Sequence, residues 1–294
     1  MKKGSVLILC VLIWSTRAFA GNLSVDNLIV VKDGTFYGDI TLSRAEVPTN
    51  GLVAYYPFDG DVNDESDNGN NGTEYGGLSY VTGVVNSAVS FDGVDDWIKI
   101  ASSSELEMAT NSFSIIFWVK TSFTDYQMLF YKGNHATTSG KKWYLCDLRS
   151  GMATGGVDDN VYKSQSLSGD ANLSYNDEQW HQFVFIRDMA GGTLNFYKDG
   201  MLDYTFPDHT VNSIANSDRI SIGKFRDGDE NFFTGTMDEM RIYARALSPT
   251  EIIALYVNPG GLERGGKSLT VEGSFIAEHL PPQGDVSMGS FTEE

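Results

Sequence analysis

From position 52 to position 243, apolar side chains come in short runs that alternate with polar ones, separated by Gly, Asn and Asp. In Phe113-Ser114-Ile115-Ile116-Phe117-Trp118-Val119-Lys120, the residues Phe113, Ile115, Phe117 and Val119 share one face of a period-two strand. The same reading gives strands over 52–58, 88–91, 97–100, 113–120, 127–131, 143–148, 180–187, 193–198, 201–206, 219–224 and 236–243. Asp199-Gly200 separates two of them, and a type I′ hairpin turn needs the positive φ that this pair tolerates. Many short strands with little helical patterning predict an all-β chain folded as a two-sheet sandwich. One helix interrupts the pattern. In Ser248-Pro249-Thr250-Glu251, Ser caps the N-terminus, Pro takes the first helical position and Glu reaches back to the cap. Ile252, Ile253, Leu255 and Tyr256 are then expected to pack on the sheet, and Asn258-Pro259-Gly260 ends the helix.

Outside the sandwich lie two related segments. LSVDNLIVVKDGTFYGDITLS, from Leu23, aligns without a gap to LTVEGSFIAEHLPPQGDVSMG, from Leu269. Leu23 matches Leu269, Val25 matches Val271, Gly38 matches Gly284 and Asp39 matches Asp285. Each copy reads as two short strands about a turn, which is marginal alone in water. The copies are therefore expected to pair with each other, with the sandwich or with another chain. Self-association or protein partners through these segments follow as an expectation.

The first residues read as a processing signal. Lys2 and Lys3 precede an apolar run over 6–14, too short to span a bilayer, and Ala18-Phe19-Ala20 is a small-x-small cleavage site. The division expected is a signal peptide over 1–20, an N-terminal β segment over 21–48, a jelly-roll domain over 49–257, and a linker with the second β segment over 258–294. An exported protein is implied, destined for the periplasm, the cell surface or the medium, with no membrane insertion. Removing Lys2, Lys3 and Arg17 leaves 18 basic residues against 39 acidic ones. So acidic a surface repels nucleic acid and anionic lipid, and suits neutral sugars, divalent cations or plain solubility. Past the leader the remaining cysteine is Cys146, flanked by Trp143, Tyr144 and Leu145, so a packed thiol is expected and no internal disulfide.

Two stretches carry a family resemblance: GLVAYYPFDGDVNDESDNGNNGT from Gly51, and FTGTMDEMRIYARALSPTEIIALY from Phe233. Together they resemble the LamG-like jelly-roll family of the concanavalin A-like lectin/glucanase superfamily, over roughly 49–256. The resemblance implies a jelly roll and a secreted, lectin-like binding module for extracellular polysaccharide or glycoconjugate. The alternative is a structural or adhesive protein that assembles through its flanking segments.

Asp59, Asp61, Asp64, Glu65 and Asp67 crowd one loop with four asparagines, a composition that suits calcium or a metal-free polar turn. In the resembling family this loop approaches the last strand around a structural metal, which implies Asp59, Asp67, Asn71 and Asp238 as calcium ligands. Asp227, Asp229, Asn231 and Asp238 have EF-hand spacing, but Phe232 stands where glycine is needed and no helices flank them. Loop aromatics and a histidine, Tyr126, His135, Trp143, Tyr162 and Phe232, are the candidate sugar contacts, since rings stack on sugar C–H faces. Trp143 lies in a strand beside Tyr144, so one of the pair must face a core. Enzyme activity is not expected. Glycosidases of this fold need two carboxylates in close register, and no Glu-x-Asp-x-x-Glu pattern occurs. Asp238 and Glu239 are neighbours and are expected to point to opposite faces of a strand.

Overall fold

The computed structural model describes residues 22–24, 29–30, 35–37, 40–43, 47–134, 142–166, 174–225, 231–261, 269–271 and 274–276. The expected leader over 1–20 and linker over 262–267 lie outside them. In chain order the strands are β1 (Asn22–Ser24), β2 (Ile29–Val30), β3 (Thr35–Tyr37), β4 (Ile40–Ser43), β5 (Leu52–Tyr56), β6 (Gly72–Tyr75), β7 (Ser79–Thr82), β8 (Ser87–Asp92), β9 (Trp97–Ile100), β10 (Phe113–Lys120), β11 (Gln127–Asn134), β12 (Lys142–Arg149), β13 (Met152–Asp158), β14 (Lys163–Gln165), β15 (His181–Asp188), β16 (Thr193–Lys198), β17 (Met201–Pro207), β18 (Ile220–Ile222), β19 (Thr234–Tyr243), β20 (Leu269–Val271) and β21 (Ser274–Ile276). Helix α1 (Pro249–Val257) lies between β19 and β20.

The chain forms two units, residues 45–265 and the flanking residues 1–44 with 266–294. In the larger unit one sheet runs β17-β16-β15-β10-β19-β8-β7, and β5 also pairs with β19. The other runs β14-β13-β12-β11-β18-β9-β6. Every pairing is antiparallel. The inner faces of both sheets share one core, in which Phe113, Ile115, Phe117 and Val119 of β10 meet Phe130, Tyr144, Cys146 and Leu148 of the facing sheet. Aromatic pairs line it. Phe117 stacks on Phe183 at 4.8 Å and Phe185 on Phe196 at 5.1 Å. The Cys146 thiol is buried there, and burial pushes its pKa well up, as expected of an inert thiol.

Period two holds in β10, but its second face is buried too. Ile116 joins Val184, Ile186 and Tyr243 under Leu247, Ile252 and Leu255, so α1 covers the outer face of the first sheet. The capping box forms, with Ser248 and Glu251 exchanging bonds. Ile253, expected to pack, is instead 42% exposed. Tyr256 reaches over the sheet and stacks on Trp118 at 5.5 Å. Asp199 and Gly200 take φ of 51° and 79°, the I′ turn expected between β16 and β17.

Four strands escape the sequence pattern. β6, β7 and β14 end the sheets, and edge strands need no apolar alternation. β13 reads Met-Ala-Thr-Gly-Gly-Val-Asp, and its glycines hide it. A Cβ on Gly156 would collide with the Ser164 carbonyl of β14, so that strand pairing requires glycine.

In the flanking unit the two copies pair with each other. β4 lies between β1 and β20, and β3 between β2 and β21.

Candidate functional site

Strand β19 changes partner partway along. Thr234 to Met237 pair with β8, and Met240 to Tyr243 pair with β5. Asp238 and Glu239 sit at the changeover. On the other side of β19, the register with β10 slips between Ile116 and Trp118, and Glu239 takes a φ of 54°. Such a bulge re-aims side chains. Both carboxylates are therefore buried, and Asp238 feels the Glu239 charge. They do not point to opposite faces as a regular strand requires, because the slip breaks the alternation.

Glu239 is spoken for. It pairs with Arg241 at 2.8 Å and accepts the Tyr55 hydroxyl at 3.0 Å, while the Arg241 guanidinium lies 4.0 Å over the Tyr55 ring. Burial raises its carboxyl pKa, and Arg241 opposes the rise. Asp238 is only half satisfied. Its Oδ2 accepts the Val84 and Val85 N–H groups at 2.7 and 3.0 Å, but Oδ1 is buried with no hydrogen-bond donor among the described residues. Burial first, then the Glu239 charge, push the Asp238 carboxyl up to about 7.

The acidic loop is built around Asp64, which the resemblance did not single out. Buried Asp64 accepts the N–H groups of Tyr55, Ser66 and Asn70 and the Ser66 hydroxyl, all within 2.9 Å. Backbone donors supply most of these bonds. Of the four residues implied as calcium ligands, Asp59 and Asp238 grip the same turn. Asp59 takes the Ser87 N–H and the Asn86 amide, each at 2.9 Å, beside the N–H groups that Asp238 holds. Asn71 Oδ1 instead accepts the Asp64 N–H at 2.9 Å, and Asp67 is exposed. The four do not form one ligand set. Among the described residues, three acidic groups within 4.8 Å of one another occur at Asp92, Asp95 and Asp96. The sequence signal for it is Phe91-Asp92-Gly93-Val94-Asp95-Asp96, a short acidic turn between two strands. Buried Asp96 already takes the Gly77 and Asp92 N–H groups, so the cluster reads as a turn lock.

The five sugar-contact candidates are separated. Trp143 is 1% exposed and packs with Met128, Tyr131, Leu145 and Phe225 on the outer face of the second sheet, where Tyr126 joins them. Tyr126 also lies under the Arg149 guanidinium at 4.7 Å, and Arg149 bonds buried Asp147. Phe232 is half-buried, with Lys224 Nζ 5.1 Å from its ring and 5.1 Å from the Trp97 ring. Trp97 stacks on Tyr75 at 4.4 Å, near the β6 edge. His135 and the 226–230 part of the EF-hand-like segment lie outside the described residues.

Tyr162 is different. It sits in the β13–β14 turn, at the other edge of the same sheet, and is 50% exposed. Val161 and Val211 beside it are exposed as well. Asp159 ties these segments together. Its Oδ1 accepts the Val161 and Tyr162 N–H groups, and its Oδ2 accepts the Val211 and Asn212 N–H groups and the Asn212 amide. Burial works against the charge, but those backbone donors hold the carboxyl at about 2. An anion bonded this way is a rigid staple, and the turn it holds presents an aromatic ring to solvent.

No curated protein sequence matches the chain. In structure it is similar to the binding domain of Paraclostridial Mosquitocidal Protein 1, at 17% identity and a TM-score of 0.58, over 70% of this chain and 52% of that one. It is also similar to Domain 4 of AbnA, a GH43 extracellular arabinanase from Geobacillus stearothermophilus, solved in complex with arabinotriose. There the identity is 21% and the TM-score 0.55, over 70% of this chain and 98% of that one. A third similar structure is the binding domain of Botulinum Neurotoxin DC in complex with SialylT, at 15% identity and a TM-score of 0.55, over 71% of this chain and 52% of that one. The chain thus spans about half the length of the first and third. The family model for the concanavalin A-like lectin/glucanases superfamily, Laminin_G_3, matches residues 92–253, more than half of the chain, and the chain belongs to that superfamily.

Proposed function

We propose that this chain is a non-catalytic binding module for extracellular carbohydrate, and that the Tyr162 rim is its contact. The observation that carries the reading is the stapled turn. Sugars bind through rings stacked on their C–H faces, and a turn whose backbone is already fixed loses little freedom on binding. Asp159 supplies that fixity through five hydrogen bonds to the two segments. Sugar-bound relatives of the same fold, one with arabinotriose and one with SialylT, support the ligand class. The Asp238–Glu239 pair does not support hydrolysis, because Glu239 is committed to Arg241 and Tyr55.

The test is a glycan array followed by calorimetry on the best ligand. Tyr162→Ala is expected to weaken binding about tenfold or more, equivalent to ~1.4 kcal/mol. It should leave Tm nearly unchanged, as exposed substitutions do. Trp143→Ala is no such probe, since emptying that buried site costs about 3–5 kcal/mol of stability. Unchanged affinity in Tyr162→Ala would move the contact elsewhere, and silence across the array would end the carbohydrate reading.

Structural calcium belongs to this reading at Asp238 and Asp59. A buried carboxylate oxygen without a donor wants a proton or a cation, and these two acids hold successive residues of one turn. Chelation is expected to lower Tm, because an ion held only by the native state stabilises it by mass action. An unchanged melting curve, with no metal by elemental analysis, would leave Asp238 to a proton.

A further inference from the structure

The flanking unit has an internal equivalence that only the strand pairing reveals. Leu23 of β1 lies opposite Leu42 of β4, and Leu269 of β20 lies opposite the same Leu42 from the other side. Ser24 and Thr270 likewise both face Thr41. Leu23 and Leu269, and Ser24 and Thr270, are matched positions of the two sequence copies. The arm β3–β4 therefore accepts the first arm of either copy, each in the same register on β4. On β3 the match is offset by one residue, with Ile29 and Ser274 both opposite Tyr37.

The two accepted arms differ in how they are attached. The β1–β2 arm is the neighbour of β3 in sequence and closes a hairpin. The β20–β21 arm arrives from more than 220 positions away, after a stretch holding Gly260, Gly261, Gly265 and Gly266. A two-stranded hairpin is marginal by itself and gains from a third strand. Nothing in β4 distinguishes a third strand of its own chain from one of another, since the register is read by backbone pairing. We infer that a second copy of this chain can supply that strand: the β20–β21 arm of one chain adds to the β3–β4 arm of another, so that chains are linked by arm exchange. The arm consists of two strands of three residues each, so its opening is a small local event. The tether favours the closed form in dilute solution, and exchange grows with the density of copies.

Single cysteines trap the exchange. In a Cys10→Ser background, with Cys146 buried in the core, Thr41→Cys and Thr270→Cys chains are prepared separately and mixed without reductant. Adjacent pairs in an antiparallel ladder alternate between wide and close spacing. Leu42→Cys with Leu269→Cys is therefore run in parallel, so that one pair meets disulfide geometry. The expected result is a disulfide-linked dimer in the mixture at least tenfold above either variant alone. The doubly substituted chain should close its bond internally. If the double variant closes but no mixture links, the arm does not exchange. If neither register closes even within one chain, the pairing beneath the inference is absent and it falls.

Discussion

Arg187→Met is expected to destabilise the sandwich by about 3–5 kcal/mol, because it strands a buried carboxylate. Arg187 and its partner Asp208 have fully buried side chains, joined at 2.8 Å. The guanidinium also donates to the Thr210 hydroxyl at 2.7 Å and to the Ala109 carbonyl at 3.2 Å. With each guanidinium nitrogen bonded, the charge is tolerated; without it, Asp208 has no ion-pair partner among the described residues. A domain of this size loses roughly 2–4 °C of Tm per kcal/mol, so the fall is readable in one thermal scan. Arg187→Met with Asp208→Leu is expected to recover at least half of the loss, since an ion pair replaced by apolar groups is often neutral. A double variant as unstable as the single would assign the loss to packing and hydrogen bonds. The pair also anchors the root of the segment bearing Val211 and Asn212, so it supports the rim that Asp159 staples.

Asp238→Asn is expected to stabilise the protein in chelator, and to do so more as pH rises. The carboxyl titrates near 7 in the native state and near 3.8 when unfolded. Below the lower value both states hold the proton and no penalty is felt. Between the two, the unfolded chain releases its proton while the native chain keeps it, so stability falls with rising pH. Above 7 the penalty is complete, on the order of 4 kcal/mol for a shift of this size. Asparagine still accepts the Val84 and Val85 N–H groups but cannot ionise. The Tm difference between variant and wild type should therefore open between pH 4 and pH 7 and level off beyond. A difference independent of pH would show that Asp238 does not carry the proton. With calcium present the wild type should gain stability and the variant should not.

The sandwich was legible because its central strands are amphipathic in register. Phe113 to Val119 announce themselves by period two, and Ser248 to Glu251 write a capping box whose geometry is entirely local. Other features are invisible for physical reasons. β13 carries glycines because β14 approaches too closely for a side chain, so necessity erased the apolar signal. Ile253 sits beside buried Ile252 and Ala254 but faces solvent, since a nine-residue helix buries only one stripe. The bulge at Glu239 depends on three partners of β19, β5, β8 and β10, and no window of sequence contains them. Sequence alone therefore gives Asp238 and Glu239 a regular strand. Trp143 and Tyr162 look alike as loop-flanking aromatics. Burial separates them, and burial is set by Met128, Tyr131 and Phe225 from elsewhere in the chain.

The forked pairing of β19 also sets a timetable. Among the described residues β5 has no strand partner but β19, and Tyr55 meets Glu239 across 184 positions. Contacts of that span form late and slowly. A ribosome adds about 5–20 residues per second, so β5 waits on the order of ten seconds or more before its partner exists. The first strand of the sandwich is thus the last to be secured, and its apolar face must be shielded until the closing strand arrives.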